Sequence, residues 1–156
     1  MSLTTATHLN FRGDARDALR LYQSVFGGAL SITTYGELGM PAGAPEADKV
    51  VFARLATEDG FRLLAYDVPG RTEGSATAAG STRRENGVTL TDQPFFVSVD
   101  ASTLEEVQGV WDGLAAGATV VEPLAASAWS AGFGMLTDRF GVTWVLGVAG
   151  AAPAAG

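Results

Sequence analysis

The sequence predicts an α+β fold of two βαβββ modules whose curved mixed sheets form a cup. Three observations predict it: two well-marked helices, eight strand-like segments distributed evenly around them, and an internal repeat that relates the halves. Strand patterns fall at about 6–11, 29–35, 50–56 and 61–66, and again at about 94–99, 118–122, 132–137 and 142–148.

The first helix is read from "DARDALRLYQSVFGG". Ala15, Ala18, Leu19, Tyr22, Val25 and Phe26 recur at helical spacing, while Arg16, Asp17, Arg20 and Gln23 point elsewhere. Asp14 is the expected N-cap, and Gly27-Gly28 offers the left-handed stop. The second helix, "STLEEVQGVWDGLAAG", sets Leu104, Val107, Trp111 and Leu114 on one face. Ser102 with Glu105 has the spacing of a capping box, and Gly117 closes the helix. Gly109 costs it about 1 kcal/mol against alanine, so the helix depends on packing.

The repeat carries the architecture. A shift of 89 positions sets Tyr22 on Trp111, Val25 on Leu114 and Gly28 on Gly117. A shift of 81 sets Leu55 on Leu136, Gly60 on Gly141, Leu63 on Trp144 and Ala65 on Leu146. A longer loop around "GELGMPAGAPEAD" absorbs the difference. A ferredoxin-like βαββαβ order would leave two strands between the helices; four candidates stand there, at 29, 50, 61 and 94. The expected organisation is a first module over 1–67, a linker or mobile loop over 68–92 rich in Gly, Ser, Thr and Ala, a second module over 93–148, and a disordered tail over 149–156.

Composition excludes several chemistries. The absence of cysteine removes disulfides, thiolate metal sites and thiol nucleophiles. A net charge of −7, with Lys49 the only lysine and Arg83-Arg84 the only adjacent basic pair, provides no footprint for nucleic acid. No segment nears the roughly 20 apolar residues of a membrane helix, and the first residues lack a signal-peptide pattern. A cytoplasmic protein without membrane or nucleic-acid partners is expected. No GxGxxG or GxSxG motif occurs, which argues against a nucleotide cofactor and a serine-hydrolase elbow.

The stretches "LNFRGDARDALRLYQSVFGG", "TTYGE", "VVFARL", "LLAYDVP" and "FGMLTDRFGVTW" run in order along most of residues 9–144. In that order they resemble the vicinal oxygen chelate superfamily of glyoxalases, bleomycin-resistance proteins and extradiol dioxygenases, in its PhnB-like branch. The resemblance implies a glyoxalase/bleomycin-resistance fold, a homodimer, and, in the enzymatic members, a divalent metal held by His, Gln or Glu on four inner strands. Carried onto this chain, those ligand positions fall near Ala6 or Thr7, on Ala65, near Pro94 and on Leu146. Thr7 brings only a hydroxyl and the others no side-chain donor, where such a cation wants carboxylate, imidazole or amide oxygen. Phe52 and Arg54 also replace polar or acidic residues of the branch's "VMHAEL" segment. With His8 the only histidine, no two-histidine-one-carboxylate site can be built from one chain, and no metal or other cofactor is expected.

The candidate residues each have two readings. His8 is a general base at the cup, or a strand histidine bonded to backbone or water. Arg54, facing the cup with Phe52 if Val51, Ala53 and Leu55 face the helix, is an oxyanion clamp, or a rim arginine paired with an acid. Trp129, Phe133, Met135 and Trp144 line a pocket for a planar or apolar ligand, or are core. Tyr35 and Tyr66 offer hydroxyls to a ligand, or pack at turn edges. Three functions follow: a metal-free small-molecule binder of the bleomycin-resistance type, a metal-independent enzyme of isomerase or lyase type with His8 as base, and a ligand-free structural or regulatory homodimer.

Overall fold

A computed structural model describes residues 2–70, 81–128 and 130–149. The chain divides into two compact units, Met1–Ala76 and Thr77–Gly156. The first contains β1 (Thr7–Phe11), α1 (Ala15–Phe26), β2 (Ala29–Thr34), β3 (Val50–Ala56) and β4 (Arg62–Asp67). The second contains β5 (Arg83–Glu85), β6 (Val88–Leu90), β7 (Val97–Ala101), α2 (Leu104–Ala115), β8 (Thr119–Ala125), β9 (Phe133–Thr137) and β10 (Thr143–Val148).

Each unit is a βαβββ module, as the repeat predicts. The sheet orders are β1-β4-β3-β2 and β7-β10-β9-β8. In both, the last strand enters beside the first in parallel and pairs with its hairpin partner antiparallel. The sequence shift of 81 is also the structural one: Ala53 pairs with Ala65 as Gly134 pairs with Leu146.

Period-two alternation decides which side chains meet the helix. In the first unit Leu9, Ala53, Leu55, Leu63 and Ala65 turn to the side of α1, whose Ala15, Ala18, Leu19 and Tyr22 are fully buried. A bulge at Val51 shifts the phase of β3, so Val50 is the buried residue and Val51 only half-buried. In the second unit a Cβ on Gly134 would lie 2.8 Å from Trp111 of α2, so Gly134, Leu136, Trp144 and Leu146 share the helix side.

The two helix starts are solved differently from the expectation. The α2 capping box lies one residue later than read: Thr103 Oγ1 accepts from the Glu106 amide at 3.2 Å, and Glu106 Oε2 accepts from the Ser102 and Thr103 amides. Ser102 precedes the cap because the chain is still leaving β7 there. At α1 the Asp14 side chain makes no cap bond. Asp67, at the end of β4 and buried, reaches across instead. Its Oδ1 accepts from the Gly13 and Ala15 amides at 2.8 and 3.0 Å, and its Oδ2 from the Val50 amide at 2.9 Å.

The expected loop over 68–92 contains a hairpin. β5 and β6 pair around Asn86-Gly87, whose φ values of 51° and 78° fit the two-residue turn that matches strand twist. The Asn-Gly signal was readable, but three-residue strands of "RRE" and "VTL" carry no apolar alternation to announce themselves. Residues 71–80, and the expected tail beyond Ala149, lie outside the described residues.

Asp67→Asn keeps one acceptor but turns an amide N–H toward the Val50 amide, leaving buried donors opposed. The expected loss is about 2 kcal/mol, roughly 4–8 °C in Tm, and larger than that of Asp14→Ala. Thermal denaturation of both variants checks it; equal losses would return the cap to Asp14.

Candidate functional site

On the side of the first sheet away from α1, alternation and register place two rows of residues. One row reads Ser31, Arg54, Leu64, His8; the next holds Thr33, Phe52, Tyr66 and Asn10. Phe52 is 44% exposed, an unusual state for a ring in the middle of a strand. Arg54 and His8 are exposed as well. Phe52 and Arg54 therefore lie opposite the helix, in the orientation the sequence reading required. Among the described residues Arg54 forms no ion pair, so the reading of a rim arginine held by an acid finds no partner there.

His8 is more constrained. Its Nδ1 lies 3.1 Å from Asn10 Oδ1, and its ring meets the Tyr66 ring edge-on at 5.4 Å between centroids. A carbonyl oxygen only accepts, so Nδ1 carries the proton and Nε2 is the basic nitrogen. Tyr35 hangs below the end of β4, its hydroxyl donating to the Asp67 carbonyl at 2.8 Å. Burial, then the negative charge of Tyr66, Asp67 and Glu46, keeps its phenol above the ordinary tyrosine range. Tyr35 thus fastens the loop after β2 and is not a ligand hydroxyl.

The matching side of the second sheet is covered by its own chain. Phe133 and Met135 occupy the places of Phe52 and Arg54 under the shift of 81. Above them the β5–β6 hairpin sets Thr89 Oγ1 3.7 Å from Met135 Sδ and the Arg84 guanidinium 5.3 Å from the Phe133 ring centre. Arg84 also pairs with Glu122 at 3.3 Å and donates to Thr89 Oγ1 and the Gly87 carbonyl, so its charge is fully engaged. A cleft of about 290 Å³ remains beside it, lined by Arg84, Glu122, Pro123, Ser130 and Phe133 among others.

The predicted aromatic pocket therefore does not assemble as read. Trp144 is fully buried on the α2 side, and its Nε1 donates to Asp138 Oδ2 at 2.9 Å. It is a core residue, because β10 turns its even-numbered side chains to the helix. Met135 is buried beneath the β5–β6 hairpin. Phe133 lines the cleft, and Trp129 lies outside the described residues. Arg62, Leu64 and Asn10 were missed; the alternation that picked out Arg54 would have found them in "FRLLAY" and "THLNF".

The family's metal positions fare no better. Ala65 and Leu146 turn to the helix side, where even a carboxylate would enter the core. Pro94 precedes β7; the register makes Val97 the counterpart of Thr7. Among the described residues no three His, Cys, Asp or Glu side chains gather to hold a cation. This donor set does not fit the metal that enzymatic relatives employ.

Two βαβββ modules, each with its last strand parallel to its first, define the fold class. The Glyoxalase/Bleomycin resistance protein/Dioxygenase superfamily model matches residues 6–146, and the chain belongs to that superfamily. Protein YjdN of Escherichia coli is 25% identical over 151 residues, covering 90% of this chain and 92% of its own. The crystal structure of protein PA1353 from Pseudomonas aeruginosa is similar at a TM-score of 0.75 and 29% identity, covering 94% of this chain and 98% of that one. The PhnB protein from Bacillus cereus, provisionally named a 3-demethylubiquinone-9 3-methyltransferase, is similar at a TM-score of 0.66 and 26% identity, covering 94% and 100%. No helix among the described residues is long and apolar enough to cross a membrane.

Trp144→Phe removes the donor to Asp138 Oδ2 and is expected to cost about 1–3 kcal/mol of stability without weakening ligand binding to the first unit. Urea denaturation alongside a binding titration separates the two; lost affinity in a folded variant would restore Trp144 to the site.

Proposed function

We propose that this protein binds a small organic molecule on the open side of its first sheet, without a metal, as a cytoplasmic homodimer. The observation that supports it is the pairing of an exposed ring, Phe52, with an exposed cation, Arg54, that has no ion-pair partner among the described residues. Such a pair neither builds the core nor saves solvation energy in the free chain, whereas against a ligand the ring buries apolar area and the guanidinium fixes orientation. The homodimer rests on the family resemblance, and the metal independence on the donor set described above.

The second reading, an enzyme of isomerase or lyase type, is favoured by one detail. The Asn10 contact leaves His8 Nε2 as a base directed away from its own strand partner. No described carboxylate stabilises the imidazolium that would form, which is why binding is the first reading.

Chemical-shift mapping with a fragment mixture tests the site. Binders are expected to move the amides of β3 and β4, and Phe52→Ala is expected to weaken them about tenfold, the worth of one ring contact. Shifts confined to the second unit would contradict the assignment. Under the enzyme reading, His8→Gln abolishes turnover and leaves binding intact; turnover that survives the change refutes His8 as base.

A further inference from the structure

Arg54 is not the only free cation on this side. Arg62, at the start of β4, alternates with Leu64 and Tyr66 and so shares their side of the sheet. Because Arg54 pairs with Leu64, Arg62 is its diagonal neighbour, about 7–8 Å away between Cα atoms and within reach of a common group. Neither guanidinium makes an ion pair or hydrogen bond with any described residue. The eleven strand positions on this side are Ala29, Ser31, Thr33, Phe52, Arg54, Ala56, Arg62, Leu64, Tyr66, His8 and Asn10, and none is acidic. In a chain of net charge −7, two adjacent arginines on a strand face without an acid are a local inversion of the overall charge; Glu58 and Asp59, in the β3–β4 turn, form no ion pair with either among the described residues.

The second unit shows what the chain does with an arginine it intends to hold itself. Arg84 receives a carboxylate, a hydroxyl, a carbonyl and the face of Phe133. The first unit repeats the ring, as Phe52, but among the described residues sets no hairpin over it and no acid against Arg54. Like charges left side by side repel unless an anion bridges them, and a planar guanidinium pair matches an oxyanion in geometry.

Resting on the binding site proposed above, we infer that its ligand is an aromatic oxyanion, a carboxylate or a phosphate monoester, bound once per chain. Arg54 and Arg62 hold the charged end, and the ring lies on Phe52. Leu64 forms the apolar floor between them, and the His8–Asn10–Tyr66 cluster lies about 10 Å from Arg54 across two strand spacings. It meets whatever substituent extends past the ring. The equivalent side of the second unit is closed by its hairpin, which limits the stoichiometry to one.

The experiment uses three probes that differ in one property: phenyl phosphate, benzoate and uncharged benzamide. Each is titrated into the full-length protein by calorimetry and by chemical-shift mapping. Both anions are expected to bind at one per chain and to shift the β3 and β4 amides, while benzamide binds about tenfold or more weakly. Arg54→Gln and Arg62→Gln should each raise the Kd about tenfold and flatten the salt dependence, and unchanged circular dichroism shows that they fold. Phenyl phosphate tighter than benzoate marks a phosphate as the natural end group, and the reverse order marks a carboxylate. Equal affinity for benzamide, or full affinity in both variants, overturns the oxyanion assignment and leaves the binding site standing. Two probes per chain overturns the closure of the second unit. If no probe shifts this side while neutral fragments do, the chemistry is wrong; if nothing shifts it, the site itself is lost.

Discussion

The carboxylate of Asp67 holds the first module together. It closes the β1–α1 connection through the Gly13 and Ala15 amides and the start of β3 through the Val50 amide. Its own carbonyl accepts the Tyr35 hydroxyl, which anchors the loop leaving β2. Three segments that are distant in sequence thus converge on one buried residue at the end of β4. Charge-assisted bonds to backbone amides are stronger than neutral ones, and a helix N-terminus favours negative charge. The rows of side chains on the open side of the sheet inherit their positions from this knot, since β3 and β4 carry Phe52, Arg54, Arg62, Leu64 and Tyr66.

The second module reaches the same topology by other means. Its helix is capped locally by Thr103 and Glu106, and its buried carboxylate, Asp138, serves the β9–β10 turn and the Trp144 indole. Val148 occupies the place of Asp67 under the repeat, so that strand end brings no carboxylate to cap the helix. This freedom accompanies a further difference. The hairpin lies over Met135 and Phe133 and engages Arg84 completely, while the first sheet keeps an exposed ring and two arginines without described partners. One scaffold, duplicated, has a closed side and an open one. Function is read from that asymmetry, because the fold alone hosts many activities.

Much of this was legible in the sequence. The repeat predicted both modules, and strand alternation correctly turned Phe52 and Arg54 away from the helix. What escaped detection has physical causes. Asp14 fits the local rule for a cap, but a carboxylate more than fifty residues away wins because it is buried and pre-positioned by β4. The β5–β6 hairpin has strands too short and too polar for periodicity to register. Trp144 looks like a ligand-stacking residue only while the phase of β10 is unknown; once β9 pairing sets that phase, it belongs to the core. Arg62 was overlooked although the same alternation that selected Arg54 applies to it.

The central claim, a small-molecule site that needs no metal, is tested most directly by native mass spectrometry of tag-free protein purified without chelator. The account predicts a dimer whose mass contains no stoichiometric divalent cation and which gains one phenyl phosphate per chain when the probe is added. One tightly held divalent ion per chain, exchanged only by chelation, would contradict it and place the chemistry in side chains other than those on the open side of the first sheet.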